Sequence, residues 1–95
     1  MDQHVLVIHS AGDLAYLERL RPKGFCFTLI KKCPTAEDRL RFDRVIDFDY
    51  QTGTEATLAL VNEVHAASAV HGVTTFSESG VIMAAIIADH LGLPG

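Results

Sequence analysis

Four short apolar runs, rich in β-branched and aromatic residues, alternate with segments whose apolar positions recur at helical spacing. The first run, residues 4–9, carries Val5, Leu6, Val7 and Ile8 in succession, which predicts a strand buried on both faces, as in parallel sheets. Ser10, Ala11 and Gly12 turn the chain. Leu14, Leu17 and Leu20 then predict a helix over residues 13–20, ended by Pro22 and Gly24. Residues 25–30 form the second buried run, and residues 31–34 a loop. Thr35 followed by Asp38 resembles a capping box and opens a short helix over residues 36–41. Residues 44–48 predict the third strand. Thr52 with Glu55 fits the capping box better, because Glu is the preferred third residue. It predicts a long helix to about residue 70, with Ala56, Ala59, Leu60, Val64 and Ala67 at helical spacing and His71-Gly72 at its end. Residues 73–76 are the fourth strand. Residues 77–91 are the last helix, apolar nearly all round in its first half and closed by Gly92.

Strict alternation of strand and helix argues for a parallel sheet with right-handed crossovers. The expected fold is α/β: a Rossmann-like three-layer domain with a four-stranded parallel sheet in the order 3-2-1-4. The chain stops just after a helix, at Leu93-Pro94-Gly95, which predicts a single domain over residues 1–95 that is the start of a longer protein.

Composition sharpens this only a little. Hydrophobic residues at 48% and charged residues at 21% are those of a folded domain and argue against disorder. The longest apolar stretch, residues 81–88, is interrupted by Asp89 and His90 and is too short to span a bilayer. The N-terminus lacks the basic flank of a secretory signal, so a cytoplasmic site is expected. A net charge of −4 and no long basic stripe argue against nucleic acid as a partner. Cys26 falls in an apolar run and reads as a small core residue. Cys33 follows Lys31 and Lys32, whose charges would favour its thiolate if it were exposed.

Candidate chemistry belongs at the carboxyl ends of the strands, where open parallel sheets bind ligands. The first loop, His9-Ser10-Ala11-Gly12, has one glycine and is neither a dinucleotide fingerprint nor a P-loop. Ser10 and Gly12 nonetheless precede a helix N-terminus, and His9 stands at a strand end, so all three are candidates for a cleft rim. Asp47 and Asp49 read as capping and solvated acids rather than a metal pair. Glu78 follows the fourth strand at the opening of the last helix. The helix dipole alone would favour a carboxylate there, and so would a ligand at the sheet's switch point. No two of the five histidines have the i, i+4 spacing of a helical metal site. His4, His65, His71 and His90 are expected in solvent.

The last third of the chain carries a family resemblance. An apolar strand, Glu78, a helix with paired Ala84-Ala85, and then Leu91-Gly92-Leu93-Pro94-Gly95 resemble the end of the N-terminal (pre-ATP-grasp) domain of ATP-grasp carboxylate–amine ligases, notably the L-amino-acid ligase and biotin-carboxylase-like members. The strand at Val5 and the acids Asp47 and Asp49 fit the same layout more loosely. The resemblance implies the N-terminal substrate-cleft domain of an ATP-dependent ligase that activates a carboxylate as an acyl phosphate and captures it with an amine. It implies ATP and Mg²⁺ in the parent protein, held by later domains, and none in this chain alone, which would not be catalytic by itself. It also implies a small carboxylate or amino-acid substrate, met by Glu78 with Ser77 and Ser79 beside it. The alternative is a stand-alone Rossmann-like binding or dimerisation module.

Either way, an apolar face meant for further domains would be exposed in this chain, and such faces drive association. A homodimer is therefore the expected state; analytical ultracentrifugation at high concentration checks it, and a clean monomer contradicts it.

Overall fold

The computed structural model describes residues 3–8, 19–75 and 80–93. Strands β1 (Gln3–Ile8), β2 (Phe25–Lys31), β3 (Arg44–Asp47) and β4 (Gly72–Thr75) form one parallel sheet in the order β3-β2-β1-β4, as expected. The helices are α1 (Ala36–Arg41), α2 (Thr54–Ala67) and α3 (Val81–Leu91). The predicted first helix falls mostly on residues outside this description. Its last two, Arg19 and Leu20, are helical, and a 3₁₀ turn over Arg21–Lys23 leads into β2.

Strand alternation sorts the core into two layers. Leu6, Ile8 and Ile30 point to one face and pack with Val61 and Val64 of α2, Val70, and Met83, Ala84 and Ile87 of α3. Val7, Phe27 and Leu29 point to the other, where Phe42 completes a smaller cluster against Val5, Leu20, Phe25 and Val45. Cys26 is half-buried in β2. The helix ends show which sequence signals prevailed. The Thr35/Asp38 capping box forms as expected: Asp38 N–H donates to Thr35 Oγ1 at 3.0 Å, and Thr35 N–H donates to Asp38 Oδ2 at 2.8 Å. The Thr52/Glu55 box does not form. Asp49 caps a 3₁₀ turn over Tyr50–Thr52 instead, Thr52 Oγ1 donates to the Asp49 carbonyl, and α2 starts after Gly53 with no side-chain cap. The competing turn satisfies the same hydroxyl locally. At the far end α2 stops at Ala67 rather than near residue 70. The His71 N–H pairs with the His4 carbonyl at 2.7 Å, and Gly72 lies beside Val5 in the sheet. Strand pairing thus claims residues that helical periodicity would have kept. Gly92 closes α3 as expected, left-handed at φ 71°, with Leu93 N–H reaching back to the Ala88 carbonyl.

His4 departs from expectation. It is buried rather than solvated, at 5% exposure, with Nδ1 2.9 Å from the Ser68 carbonyl and Nε2 2.7 Å from Thr28 Oγ1. His65 and His71 are exposed, as expected, yet each bonds a backbone N–H.

Two local arrangements lead to predictions. Asp38 is buried at the N-terminus of α1, and its Oδ2 also accepts from Lys31 Nζ at 2.9 Å. Burial opposes its charge, but the Thr35 N–H, the Lys31 ammonium and the Thr35 hydroxyl contact outweigh that and hold the carboxyl below its ordinary range. A carboxyl lowered by folding stabilises above its unfolded value and loses that contribution as pH falls through its folded value. Asp38→Ala is expected to cost about 1–2 kcal/mol in urea unfolding at pH 7. The gap to the native protein should close as pH falls below about 4. Gly80 packs over the ends of β1 and β4, where Thr75 Oγ1 donates to the Ile8 carbonyl at 2.6 Å. A Cβ on Gly80 would overlap Thr75 Oγ1 and lie 3.2 Å from the Ile8 carbonyl oxygen. Gly80→Ala is expected to destabilise by about 1–3 kcal/mol. Thermal melts of a double-mutant cycle with Thr75→Ala should show a smaller penalty once the hydroxyl is gone.

Candidate functional site

The carboxyl edge of the sheet is where β1 and β4, the two strands flanking the switch point, end side by side at Ile8 and Thr75. The chain reverses its direction of travel across the sheet here: β1 to β3 build outward on one side, and β4 returns to the other. The segment after Ile8 and the segment after Thr75 therefore leave from adjacent strand ends. All six sequence-predicted site residues fall on these two segments, His9, Ser10 and Gly12 on the first and Ser77, Glu78 and Ser79 on the second, and all six lie outside the described residues. Gly80, packed against Ile8 and Thr75, fixes where the second segment must rejoin the fold.

The other two loops of this edge are occupied with their own structure. Cys33, exposed and left-handed at φ 52°, donates its N–H to Asp47 Oδ1 at 3.0 Å. Phe48 N–H reaches the Lys31 carbonyl at 3.2 Å. Asp49 Oδ1 accepts from Gln51 N–H at 2.9 Å, and its other oxygen lies 3.9 Å from Lys32 Nζ. Asp47 and Asp49 thus act as loop and turn caps, as the sequence suggested. Among the described residues no group of three His, Cys, Asp or Glu is placed to hold a metal ion. The loops after β2 and β3 contain no glycine-rich cradle for a nucleotide.

Among the described residues, two hollows flank α3. One of about 270 Å³ lies between Tyr50, Gln51, Gly53 and Thr54 at the start of α2 and Ile82, Met83 and Ile86 on α3. The other, about 230 Å³, runs between the outer strand β4 (Val73, Thr74, Thr75) and the small-residue side of α3 at Ala84, Ala85 and Ala88. Ile82 is 73% exposed beside the first and Val81 55% exposed beside the second. Sequence reasoning did not single out Tyr50 or Ile82. The available signal was that α3 is apolar on more sides than one core can cover. No described helix is long and apolar enough to cross a membrane.

With this geometry in place, the likeness to known proteins is specific. No curated protein matches the chain. The crystal structure of L-amino acid ligase from Bacillus licheniformis superposes with a TM-score of 0.82 over 99% of this chain and 25% of that one, at 21% identity. The crystal structure of phosphoribosylglycinamide synthetase from Anaerococcus prevotii does so with a TM-score of 0.79 over 100% of this chain and 24% of that one, at 16% identity. At such identities the likeness is one of fold, and this chain spans about a quarter of the length of either structure. The sequence pattern of the ATP-grasp N-terminal domain matches residues 28–95, well over half of the chain. From that match and the shared fold, the chain belongs to the ATP-grasp N-terminal domain family.

Proposed function

We propose that this chain is the N-terminal substrate-cleft domain of an ATP-dependent carboxylate–amine ligase whose substrate is an amino acid or another small carboxylate, and that it is not catalytic alone. The observation that carries the reading is that β1 and β4 end side by side at Ile8 and Thr75, at the switch point. That position is where open parallel sheets take ligands. Family membership supports the ligase class, and the likeness to an L-amino acid ligase favours an amino-acid substrate. Glu78 is the group proposed to meet the substrate, with Ser77 and Ser79 beside it and His9, Ser10 and Gly12 on the facing rim. A carboxylate here suits the ammonium group of an amino acid, as charge-assisted hydrogen bonds are the strong ones.

ATP and Mg²⁺ belong to further domains of the same polypeptide, in keeping with relatives about four times as long. The apolar groove at Tyr50, Ile82 and Met83 is a surface for those domains to cover. In their absence a second copy of the chain would cover it, which gives the homodimer. The setting is a cytoplasmic one.

A second reading, a stand-alone Rossmann-like binding or dimerisation module, is favoured by the fact that both faces of the sheet already have their own core. Two measurements separate the readings. In the parent ligase, Glu78→Gln is expected to lower kcat/KM for the amino-acid substrate by roughly 10- to 100-fold, the worth of a lost hydrogen bond to a charged group. Unchanged turnover would reduce Glu78 to an acid at a helix start. Calorimetry of the 95-residue chain with Mg-ATP is expected to show no tight binding; a sub-micromolar constant would put the nucleotide site inside this domain and overturn the division of labour.

A further inference from the structure

Handedness restricts where a further strand can join this sheet. From β1 through β2 to β3 the chain steps outward in one direction, and these connections place Leu20 and Phe42 on the face of the smaller cluster. From β3 to β4 it steps the opposite way, and α2 crosses on the other face, with Val61 and Val64 against Leu6 and Ile8. Reversing both the direction and the face keeps the hand, which for parallel crossovers is right-handed. α3 follows β4 on the same face as α2, through Met83, Ala84 and Ile87. A parallel strand entered from α3 with that hand must therefore continue in the direction from β3 to β4. The place it reaches is beside β4, on the side away from β1.

The structure at that place suits a strand. Among the described residues β4 has one partner, β1. Its sequence, Gly72-Val73-Thr74-Thr75, carries neither charge nor proline, the usual guards of an exposed sheet edge. The opposite edge strand, β3, has the exposed charges Arg44 and Asp47. All four β4 residues are half-buried, whereas Leu6, Val7 and Ile8 of the neighbouring strand are fully covered. Beside β4 lies the hollow of about 230 Å³, where Ala84, Ala85 and Ala88 of α3 leave room and Val81 stands 55% exposed. The chain is also aimed there. α3 begins where Gly80 packs against Thr75, at the carboxyl end of β4, and runs back across the face of the sheet. Gly92 turns the chain off the helix at φ 71°. Leu93, its N–H bonded to the Ala88 carbonyl, packs with the cluster that holds Val70 and Val73 at the start of β4. A strand parallel to β4 begins at that same edge.

We propose that the polypeptide following this domain in the parent ligase adds a fifth strand along the outer edge of β4, parallel to it, with side chains that fill the hollow over Ala84, Ala85 and Ala88. The proposal rests on the reading that further domains follow in the same polypeptide. It gives β4 a neighbour on each side, so the strand that ends at Thr75 and the switch point is held as β1 is. It also gives the small residues of α3 a reason: larger side chains at Ala84, Ala85 and Ala88 would occupy the space the added strand needs.

The crystal structure of the parent protein tests this directly. A parallel strand bonded to β4 is expected. An edge left unpaired, covered by a helix or loop, or paired antiparallel with a second copy overturns it. Ala85→Arg gives an independent readout in solution. Ala85 is exposed in this chain, and Ala and Arg both favour helix, so urea unfolding of the 95-residue chain should change by no more than about twofold in its equilibrium constant. In the parent protein the same substitution overfills the hollow, and the constant for this domain should rise by about tenfold or more. An equal change in both proteins overturns the proposal. Should the variant not fold, hydrogen exchange of the native proteins decides. Amides of residues 73–75 that face away from β1 should exchange at least about tenfold more slowly in the parent than in the 95-residue chain, and equal rates overturn the proposal. Calorimetry of the parent with Mg-ATP keeps the two readings apart. Tight binding with β4 unpaired overturns the fifth strand and leaves the ligase reading standing, whereas a fifth strand without nucleotide binding does the reverse.

Discussion

β1 is the element on which the rest of the domain is assembled. It is paired on both sides, to β2 and to β4, and Leu6, Val7 and Ile8 are each fully excluded from solvent. A strand in that position needs apolar side chains on both faces, because each face packs into its own apolar cluster. Leu6 and Ile8 organise the layer of α2 and α3, while Val7 organises the smaller cluster with Phe27, Leu29 and Phe42. The backbone of the same strand anchors both ends of the β4 connection. Its start holds the His4–His71 pair and its end receives the Thr75 hydroxyl at the Ile8 carbonyl. Any change that loosens β1 therefore acts on the core and on the candidate cleft together.

The two edges of the sheet have different characters. At the carboxyl edge the loops after β2 and β3 are tied by internal hydrogen bonds, Cys33 N–H to Asp47 and Gln51 N–H to Asp49. The six residues singled out in the sequence lie on the segments that follow Ile8 and Thr75. Gly80 is required there because no Cβ fits between α3, Thr75 and the Ile8 carbonyl, a close approach that brings the helix onto the switch point. At the amino edge, ring nitrogens of His4, His65 and His71 add hydrogen bonds to the backbone cap that ends α2 at Ser68.

Several features were legible in the sequence because they rest on local rules. Short continuous apolar runs rich in β-branched residues predicted the four strands, strand–helix alternation predicted the sheet order, Thr35 with Asp38 predicted the cap of α1, and Gly92 predicted the end of α3. Others were not, because local rules competed. Thr52 with Glu55 is a better capping sequence than Thr35 with Asp38, yet Asp49 recruits Thr52 into a 3₁₀ turn and the box is lost. Helical periodicity ran to Val70, yet His71 is drawn into the sheet by the His4 carbonyl, 67 residues away in the chain. The candidate site was legible only as a place, the switch point, and as the family pattern around Glu78. The groove between Tyr50 and Ile82 depends on how α2 and α3 sit against each other, which periodicity does not encode.

The sequence by itself determined the strands, their parallel order and the family, since these follow from the spacing of apolar residues and from one contiguous motif after β4. Only the tertiary structure decided which cap signal prevails, where α2 yields to β4, and that His4 is buried. The first is a competition between two local hydrogen bonds, whereas the other two are settled by distant partners that the sheet brings within about 3 Å.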